Sequence, residues 1–150
     1  MSMKRNRIVP MVITHLERVM EIEETSFPDP WSKGSFVNEI TENPYAVYFV
    51  VLQGELVIAY IGGWLVIDEL HITNLAVDKD YRQRGIAESL IDEILIFSYN
   101  KGIKSATLEV RVSNDSAISL YKKKGFIPVG YRPGYYSNNN ENALIMWKKY

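Results

Sequence analysis

Residues 74–88 constrain the fold of this chain more than any other stretch. They read Asn-Leu-Ala-Val-Asp-Lys-Asp-Tyr-Arg-Gln-Arg-Gly-Ile-Ala-Glu, which predicts a strand, an arginine-rich turn and a helix that opens at Gly85. The start of a helix leaves backbone N–H groups without partners, and the helix dipole adds partial positive charge there. Gly85 has no side chain to keep a ligand from the main chain, and Arg82 and Arg84 add full charges beside it. The stretch therefore predicts a binding site for a phosphate or pyrophosphate.

Apolar periodicity predicts a mixed sheet flanked by helices, formed by a single domain over residues 1–150. Strands are predicted at residues 8–13, 45–52, 55–67, 70–77, 105–112, 126–136 and 143–149. Helices are predicted at residues 14–25, 32–40, 85–100 and 114–124. Thr14 and Glu17 have the spacing of a capping box, Ser32 is the predicted cap of the second helix, and Gly102 stands where a C-terminal cap glycine belongs. The order β-α-α-β-β-β-α-β-α-β-β predicts an α/β (α+β) fold.

Composition argues against several classes of protein. The 17 basic and 18 acidic residues give a formal net charge of −1, which argues against a nucleic-acid binder that works through a large basic surface. The chain has no cysteine, and His15 and His71 are too few for a histidine-built metal site, so no metal is expected. The sequence contains no run of about 18 apolar residues, so no membrane span is expected. Residues 1–10 lack the apolar core of a signal peptide, and we therefore expect a cytoplasmic protein.

Three segments together resemble one known family. Arg82-Gln-Arg-Gly-Ile-Ala87 follows the pattern Arg/Gln-x-x-Gly-x-Gly/Ala, and Leu108-Glu-Val-Arg-Val-Ser-Asn114 comes after the long helix. Next along the chain is Ala117-Ile-Ser-Leu-Tyr-Lys-Lys-Lys-Gly-Phe126. Over nearly its whole length the chain resembles the GNAT acyltransferases, which bind acetyl-CoA. The resemblance implies the GNAT fold, with a mixed, mostly antiparallel central sheet between helices.

Within the family, the chain is most similar to N-terminal acetyltransferases of the RimI type, the ribosomal-protein-alanine acetyltransferases, and shares much with the archaeal ones. The motifs are Phe27-Pro-Asp-Pro-Trp-Ser32, Asp68-Glu-Leu-His-Ile-Thr-Asn74 and Arg132-Pro-Gly-Tyr-Tyr136. Two positions depart from the usual pattern: Ala87 stands where a second glycine is common, and Glu88 where a basic residue is frequent. The basic residue's absence would weaken phosphate binding slightly. The resemblance implies a protein or peptide N-terminus as partner, such as a small-subunit ribosomal protein that begins with alanine.

The resemblance also implies which residues hold acetyl-CoA. Backbone N–H groups of residues 83–88 would bind the pyrophosphate, and the strand that ends at Val77 would pair with the pantetheine amides. The Val77 N–H would polarise the thioester oxygen, and Asn114 would bind the cofactor arm. The predicted cofactor contacts are Leu75, Ala76, Val77, Arg82, Gln83, Arg84, Gly85, Ile86, Ala87, Glu88, Asn114 and Tyr121. The alternative for Arg82 and Arg84 is a solvated surface turn.

Three residues are candidates for catalysis. Glu109 is the candidate general base, because the resemblance places the family's base at this position. It lies on the strand face opposite Leu108 and Val110 and could take a proton from an amine whose pKa is about 7.7–8.0. Tyr121 is the candidate general acid, since a tyrosine with a pKa near 10 still carries its proton at neutral pH. In archaeal relatives a histidine at the position of His71 joins a water chain to the amine. The alternatives are a cross-strand ion pair for Glu109, a packed core residue for Tyr121 and a structural hydrogen bond for His71.

The resemblance implies that the turn at Phe27-Pro28 and the final hairpin flank the acceptor site. Trp31, Tyr135 and Tyr136 are therefore expected near the acceptor peptide, where aromatic walls with polar tips suit a short chain terminus. Ordinary packing is the alternative for all three. A lysine side chain or a small amine remains an alternative acceptor, and a non-catalytic CoA-binding module an alternative function, which the presence of both Glu109 and Tyr121 disfavours. A dinucleotide-binding domain fails because Gly-x-Gly-x-x-Gly is absent. No direct nucleic-acid or membrane partner is expected, and the chain is expected to be a monomer or a weak dimer.

Overall fold

A computed structural model describes residues 5–150 of the chain. The strands are β1 (Asn6–Pro10), β2 (Ala46–Gln53), β3 (Leu56–Val66), β4 (Glu69–Val77), β5 (Ser105–Arg111), β6 (Ile127–Tyr136) and β7 (Glu141–Lys149). The helices are α1 (Leu16–Ser26), α2 (Lys33–Thr41), α3 (Ile86–Asn100) and α4 (Asp115–Lys123). Strands and helices follow the predicted order.

The seven strands form one sheet in the order β1-β2-β3-β4-β5-β7-β6. Among residues 5–150, only the β4–β5 pair is parallel, and the other five pairs are antiparallel. The predicted mixed, mostly antiparallel sheet is therefore confirmed. None of the helices in the described part of the chain has the length and apolarity that crossing a membrane requires.

Two apolar cores lie on opposite faces of the sheet. Strand β2 contributes to both, because successive side chains of a strand point to opposite faces. Val47, Phe49 and Val51 pack with the apolar side chains of α3, whereas Tyr48, Val50 and Leu52 pack with those of α1 and α2. Burial on both faces explains why this strand reads as an uninterrupted apolar run rather than an alternating one.

The parallel strands β4 and β5 separate part-way along their length. They pair only from Glu69 with Ser105 to Ile72 with Leu108. The next residue of β4, Thr73, has no partner in the register with β3 and so forms a bulge, and bulges bend a strand. Beyond this bulge the facing edges of β4 and β5 are unpaired, which opens a V-shaped gap in the sheet.

The gap exposes backbone groups of β4. The Asp78 N–H donates to the Ile58 carbonyl oxygen at 2.8 Å, on the β3 side. Amides alternate in direction along a strand, so the N–H groups of Leu75 and Val77 point away from β3 and into the gap. No strand of the described residues pairs with them there, so they are free to pair with an extended ligand.

The beginning of the first helix differs from the prediction. Strand β1 ends at Pro10, not at residue 13, and residues 13–15 form one 3₁₀ turn before α1. Thr14 lies inside that turn and is not the cap. Instead, the Val12 N–H donates to Nδ1 of His15 at 3.0 Å, so a ring three residues later satisfies the amide that a cap residue would otherwise leave free.

Other local signals are confirmed, with one exception. Ser32 Oγ accepts the Ser35 N–H at 3.1 Å, and Gly102 follows α3 with a left-handed φ of 87°. Val112, the last residue of the strand predicted at residues 105–112, lies beyond the end of β5 and is 37% exposed. The prediction extended the alternation one residue past the point where the chain turns toward α4.

Candidate active site

The turn between β4 and α3 has the open main chain that the sequence predicts. Gly85 precedes the helix with φ 77°, and Gln83 also adopts a left-handed backbone with φ 62°. A Cβ added at Gly85 would meet no atom within 4 Å, so there is room beside the main chain. No side chain of residues 5–150 caps the start of α3, and helix geometry leaves its first N–H groups without intrahelical partners. The turn therefore suits an anion at a helix terminus.

The two arginines of the turn have different roles in its structure. Arg82 lines the cavity beside the turn, and its Nε donates to the Val77 carbonyl oxygen at 3.0 Å. The Arg84 guanidinium lies 5.1 Å from the centroid of the Tyr81 ring and donates to the Asp80 carbonyl oxygen at 3.1 Å. The contacts of Arg84 are therefore within the turn itself. This agrees with the alternative interpretation, in which Arg84 belongs to a surface turn and does not bind phosphate.

A cavity of about 570 Å³ lies between the free edge of β4, the turn and α4. Ser26 and Phe27, at the end of α1, also border it. The predicted cofactor contacts that line it are Leu75, Ala76, Val77, Arg82, Gln83, Gly85, Ile86, Ala87, Glu88 and Asn114. Asn114 caps α4, because its Oδ1 accepts the Ala117 N–H at 3.2 Å, and this leaves its amide nitrogen as the donor for a ligand.

The acidic residue at the start of α3 is balanced by two lysines. The Glu88 carboxylate lies 3.1 Å from Nζ of Lys123 and 3.0 Å from Nζ of Lys124. Hydrogen bonds from Lys124 and then Lys123 lower the pKa of Glu88. The negative charge that this position brings to a phosphate site is therefore compensated from α4.

A second cavity of about 180 Å³ continues the first one toward β5. Both cavities are bordered by Phe27, Leu75, Asn114 and Ala117. They are therefore adjacent, and the two together, from the turn to the diverging strands, are called the channel below. Glu109, Tyr121 and Tyr136 line its inner end.

Glu109 lies between two partners from other strands. Its Oε2 is 2.6 Å from Nε2 of His71, and its Oε1 accepts a hydrogen bond from Nε of Arg132 at 3.1 Å. Only 9% of the side chain is exposed. The hydrogen bond with His71 and the charge of Arg132 lower the pKa of the Glu109 carboxyl, although desolvation acts in the opposite direction. The cross-strand ion pair foreseen as the alternative is thus present, and the carboxylate nevertheless lines the cavity.

Tyr121 faces the same cavity from α4. Its side chain is 6% exposed and packs against Phe126, with ring centroids 5.5 Å apart. Burial raises the pKa of the Tyr121 phenol, so it keeps its proton at neutral pH. Ala117, one helical turn earlier, lines the cavity too, as the four-residue spacing predicts. Tyr121 is therefore both a packed residue and a bordering one, and its role as an acid stays a prediction.

The sequence profile of the acetyltransferase (GNAT) family matches residues 16–126. The chain belongs to this family. It is therefore an N-acetyltransferase that uses acetyl-CoA, and the resemblance inferred from its motifs is confirmed.

Relatives of this GNAT chain cover most of its length. A Bacillus subtilis (strain 168) protein named "Putative [ribosomal protein bS18]-alanine N-acetyltransferase" is 43% identical over 137 residues, 91% of each chain. The crystal structure of the ribosomal-protein-S18-alanine N-acetyltransferase from Escherichia coli is 30% identical, has a TM-score of 0.88, and covers 97% of this chain and 94% of that one. Ard1 from Thermoplasma volcanium is 30% identical with a TM-score of 0.89, over 96% of this chain and 97% of that one. These neighbours confirm the predicted GNAT fold.

The three aromatic residues expected at the acceptor side of this GNAT chain are not equally close to Glu109. Tyr136 lines the inner cavity, and Tyr135 packs perpendicular to it with ring centroids 5.1 Å apart. Trp31 lies elsewhere, in a groove at the start of α2, where it packs on Phe36 at 5.4 Å. Phe27 of the same turn borders the channel instead.

A buried polar network behind the gap was also missed. Glu23 is 2% exposed; its Oε2 accepts the Trp31 N–H at 2.9 Å, and its Oε1 accepts a hydrogen bond from Tyr60. Asn74, 6% exposed, accepts a hydrogen bond from the Tyr48 hydroxyl at 3.5 Å. These contacts hold the turn before α2 and the residue beside the bulge of β4. In the sequence, this network is indicated only by Glu23 itself, an acidic residue on the apolar stripe of α1.

Proposed function

We propose that the chain transfers the acetyl group of acetyl-CoA to the N-terminal α-amine of a protein, and that the acceptor is a ribosomal protein with an N-terminal alanine. The names of its relatives in Bacillus subtilis and Escherichia coli support this acceptor. The observation that carries the proposal is the channel formed by the two adjacent cavities, which has the turn at Gly85 at one end and the Glu109 carboxylate at the other. An acceptor of this kind places the reaction in the cytoplasm.

The residues along the channel fit acetyl-CoA. The first N–H groups of α3, with the left-handed Gln83 and Gly85 before them, form a concave set of donors that suits a pyrophosphate. The free N–H groups of Leu75 and Val77 suit an extended arm with amide carbonyls, which would add to the open edge of β4 as a strand does. Acetyl-CoA supplies the activated thioester acyl group.

Proton handling falls to the inner end of the channel. An α-amine with a pKa of about 7.7–8.0 is mostly charged at neutral pH and must lose a proton before it can attack. The Glu109 carboxylate, kept ionised by His71 and Arg132, accepts that proton directly or through a water. Tyr121 keeps a proton to give to the departing sulfur. Overall, a C–N bond forms, a C–S bond breaks, and one proton leaves with each charged amine consumed.

A peptide assay tests the acceptor. The purified protein is incubated with acetyl-CoA and a peptide that begins with alanine and carries an internal lysine, and mass spectrometry locates the label. We expect acetyl on the α-amine and none on the lysine. Matched controls are the same peptide with a blocked N-terminus and a panel of small polyamines. Label on the lysine or on a polyamine, with a bare α-amine, would refute the proposal.

A further inference from the structure

Arg111, at the end of β5, contacts the turn between β6 and β7 at several points. Its Nη2 donates to Oδ1 of Asn138 at 2.9 Å, and its Nη1 donates to Oδ1 of Asn139 at 3.3 Å. The same Nη1 lies 3.2 Å from Oε1 of Glu141. Its guanidinium carbon sits 4.0 Å from the centroid of the Tyr136 ring, within the range of a cation–π contact. One side chain thus contacts both ends of the turn.

Glu141 is the charged partner of Arg111. The side chains of Arg111 and Glu141 are 18% and 13% exposed. The other carboxylate oxygen of Glu141 accepts the Ser113 N–H at 2.9 Å, which ties the turn to the segment before α4. These hydrogen bonds lower the pKa of Glu141 to about 2, so the pair stays charged under ordinary conditions.

Arg111 and Tyr136 both border the inner cavity of the channel, and Tyr136 is the aromatic ring that Arg111 contacts there. Tyr136 lines the inner cavity together with Glu109 and Tyr121, and its neighbour Tyr135 is half exposed. We propose that Arg111 is a positioning residue: it holds the Tyr136 ring as a fixed wall of the acceptor site. This inference rests on the proposed function. It predicts that loss of Arg111 weakens acceptor binding without weakening acetyl-CoA binding.

A lysine at this position would keep the charge but not the geometry. The guanidinium is planar and carries five donors in a fixed fork, so it can stack on a ring and bond to several oxygens at once. An ammonium is a compact point charge at the end of a flexible stem. Arg111→Lys therefore separates the positioning role from the charge.

The decisive experiment is a double-mutant cycle on peptide kinetics. Arg111→Lys is expected to raise the KM for the peptide about tenfold, between the sizes of an exposed and a desolvated cation–π contact, with the KM for acetyl-CoA unchanged. In a Tyr136→Leu background the same substitution should have little further effect, because the residue it acts through is gone. The matched control is Arg7→Lys, at the opposite edge of the sheet, where the guanidinium only reaches the Gly54 carbonyl oxygen at 3.5 Å.

Additive effects in the cycle would overturn the proposal, because Arg111 would then act on the acceptor independently of Tyr136. Equal rises in both KM values would also overturn it and leave Arg111 a residue of general stability. A second readout does not depend on the acceptor. Hydrogen exchange at residues 136–141 should be faster in Arg111→Lys, while exchange in α3 stays as in the wild type. Unchanged exchange in the turn would refute the positioning role even if no peptide were acetylated. Faster exchange without acetylation would refute only the proposed acceptor.

Discussion

The turn at Gly85 and the cluster around Glu109 are built in opposite ways. The hydrogen bonds of Arg82 and Arg84 within the turn join residues five and four positions apart. The contacts of Glu109 with His71 and Arg132 join residues 38 and 23 positions apart, from three strands. A local turn depends on backbone conformation, whereas the cluster depends on the register of the whole sheet. The first is therefore expected to govern cofactor binding and the second the rate of the chemical step.

Glu109→Gln gives the strongest test of this division. The amide keeps the size of the side chain but cannot accept a proton, so kcat should fall by about 10²–10⁴-fold, the usual contribution of a general base. The KM for acetyl-CoA should stay near the wild-type value, because the turn is untouched. Steady-state kinetics at saturating peptide measures both constants. Glu55→Gln, an exposed carboxylate in the β2–β3 turn, is the control and should leave both unchanged.

Tyr121→Phe tests the other half of the same cluster. Removal of the hydroxyl should lower kcat by about 10²-fold, the lower end of the range for a general acid, while the ring still packs on Phe126. Because burial raises the pKa of Tyr121, loss of its proton should limit the wild-type rate only above about pH 10. A pH profile of kcat checks this. A wild-type rate that falls already near neutral pH would show that a different acid supplies the proton.

The same contrast explains what could be predicted from the sequence. The strand, turn and helix around Gly85 follow from residue types at fixed spacing, and the cap at Ser32 is equally local. Arg132 begins the motif at residues 132–136, but the sequence does not predict its contact with Glu109, because nothing in the sequence states that β6 lies two strands away from β5. The left-handed Gln83 was also unforeseen, since glycine is the residue that usually signals that conformation.

Thr14 shows how even a local signal can mislead. Its spacing to Glu17 matches a capping box, yet the histidine three residues after Val12 takes the capping contact. Two patterns overlap here, Thr14 with Glu17 and Val12 with His15. Strand β1 ends at Pro10, and it is the contact between Val12 and His15 that forms. Glu109 itself was identified through the family resemblance, and only the packed sheet shows that its ion pair and its place in the cavity coexist.

Gly85→Ala tests the local side of the comparison, with a smaller expected effect. The new Cβ meets no atom, so the cost is the left-handed backbone at φ 77°, about 1–2 kcal/mol for a residue with a side chain. The KM for acetyl-CoA should rise as the turn changes shape, with kcat nearly unchanged. Gly34→Ala is the matched control within α2 and should stabilise the protein by about 0.5–1 kcal/mol. A fall in kcat comparable to that of Glu109→Gln would contradict the idea that the turn governs cofactor binding and the Glu109 cluster governs the chemical step.

The smallest expected effect is on stability at low pH, and it compares two carboxyl groups. Glu141 lies near the strand-assembled part of the site, and Glu88 lies at the turn before α3. The pKa of both carboxyls is lowered in the folded state, that of Glu141 to about 2. A group with a lowered folded pKa adds stability above its unfolded pKa of about 4.3, and this stability is lost as pH falls through the folded value. The Tm difference between wild type and Glu141→Gln should therefore be present at neutral pH and shrink between about pH 4.3 and pH 2.

Glu88→Gln should give the same sign but a smaller difference. Its partners are lysines, one of them 66% exposed, and exposed ion pairs on flexible stems contribute little. Glu141 instead bonds a backbone N–H and an arginine that is itself fixed on a ring. Thermal denaturation of the two variants across pH, at one salt concentration, makes the comparison. Equal Tm differences for Glu88→Gln and Glu141→Gln would mean that the contact between the β6–β7 turn and the segment before α4 is no stronger than a surface ion pair. The distinction between the local turn and the assembled cluster would then not extend to stability.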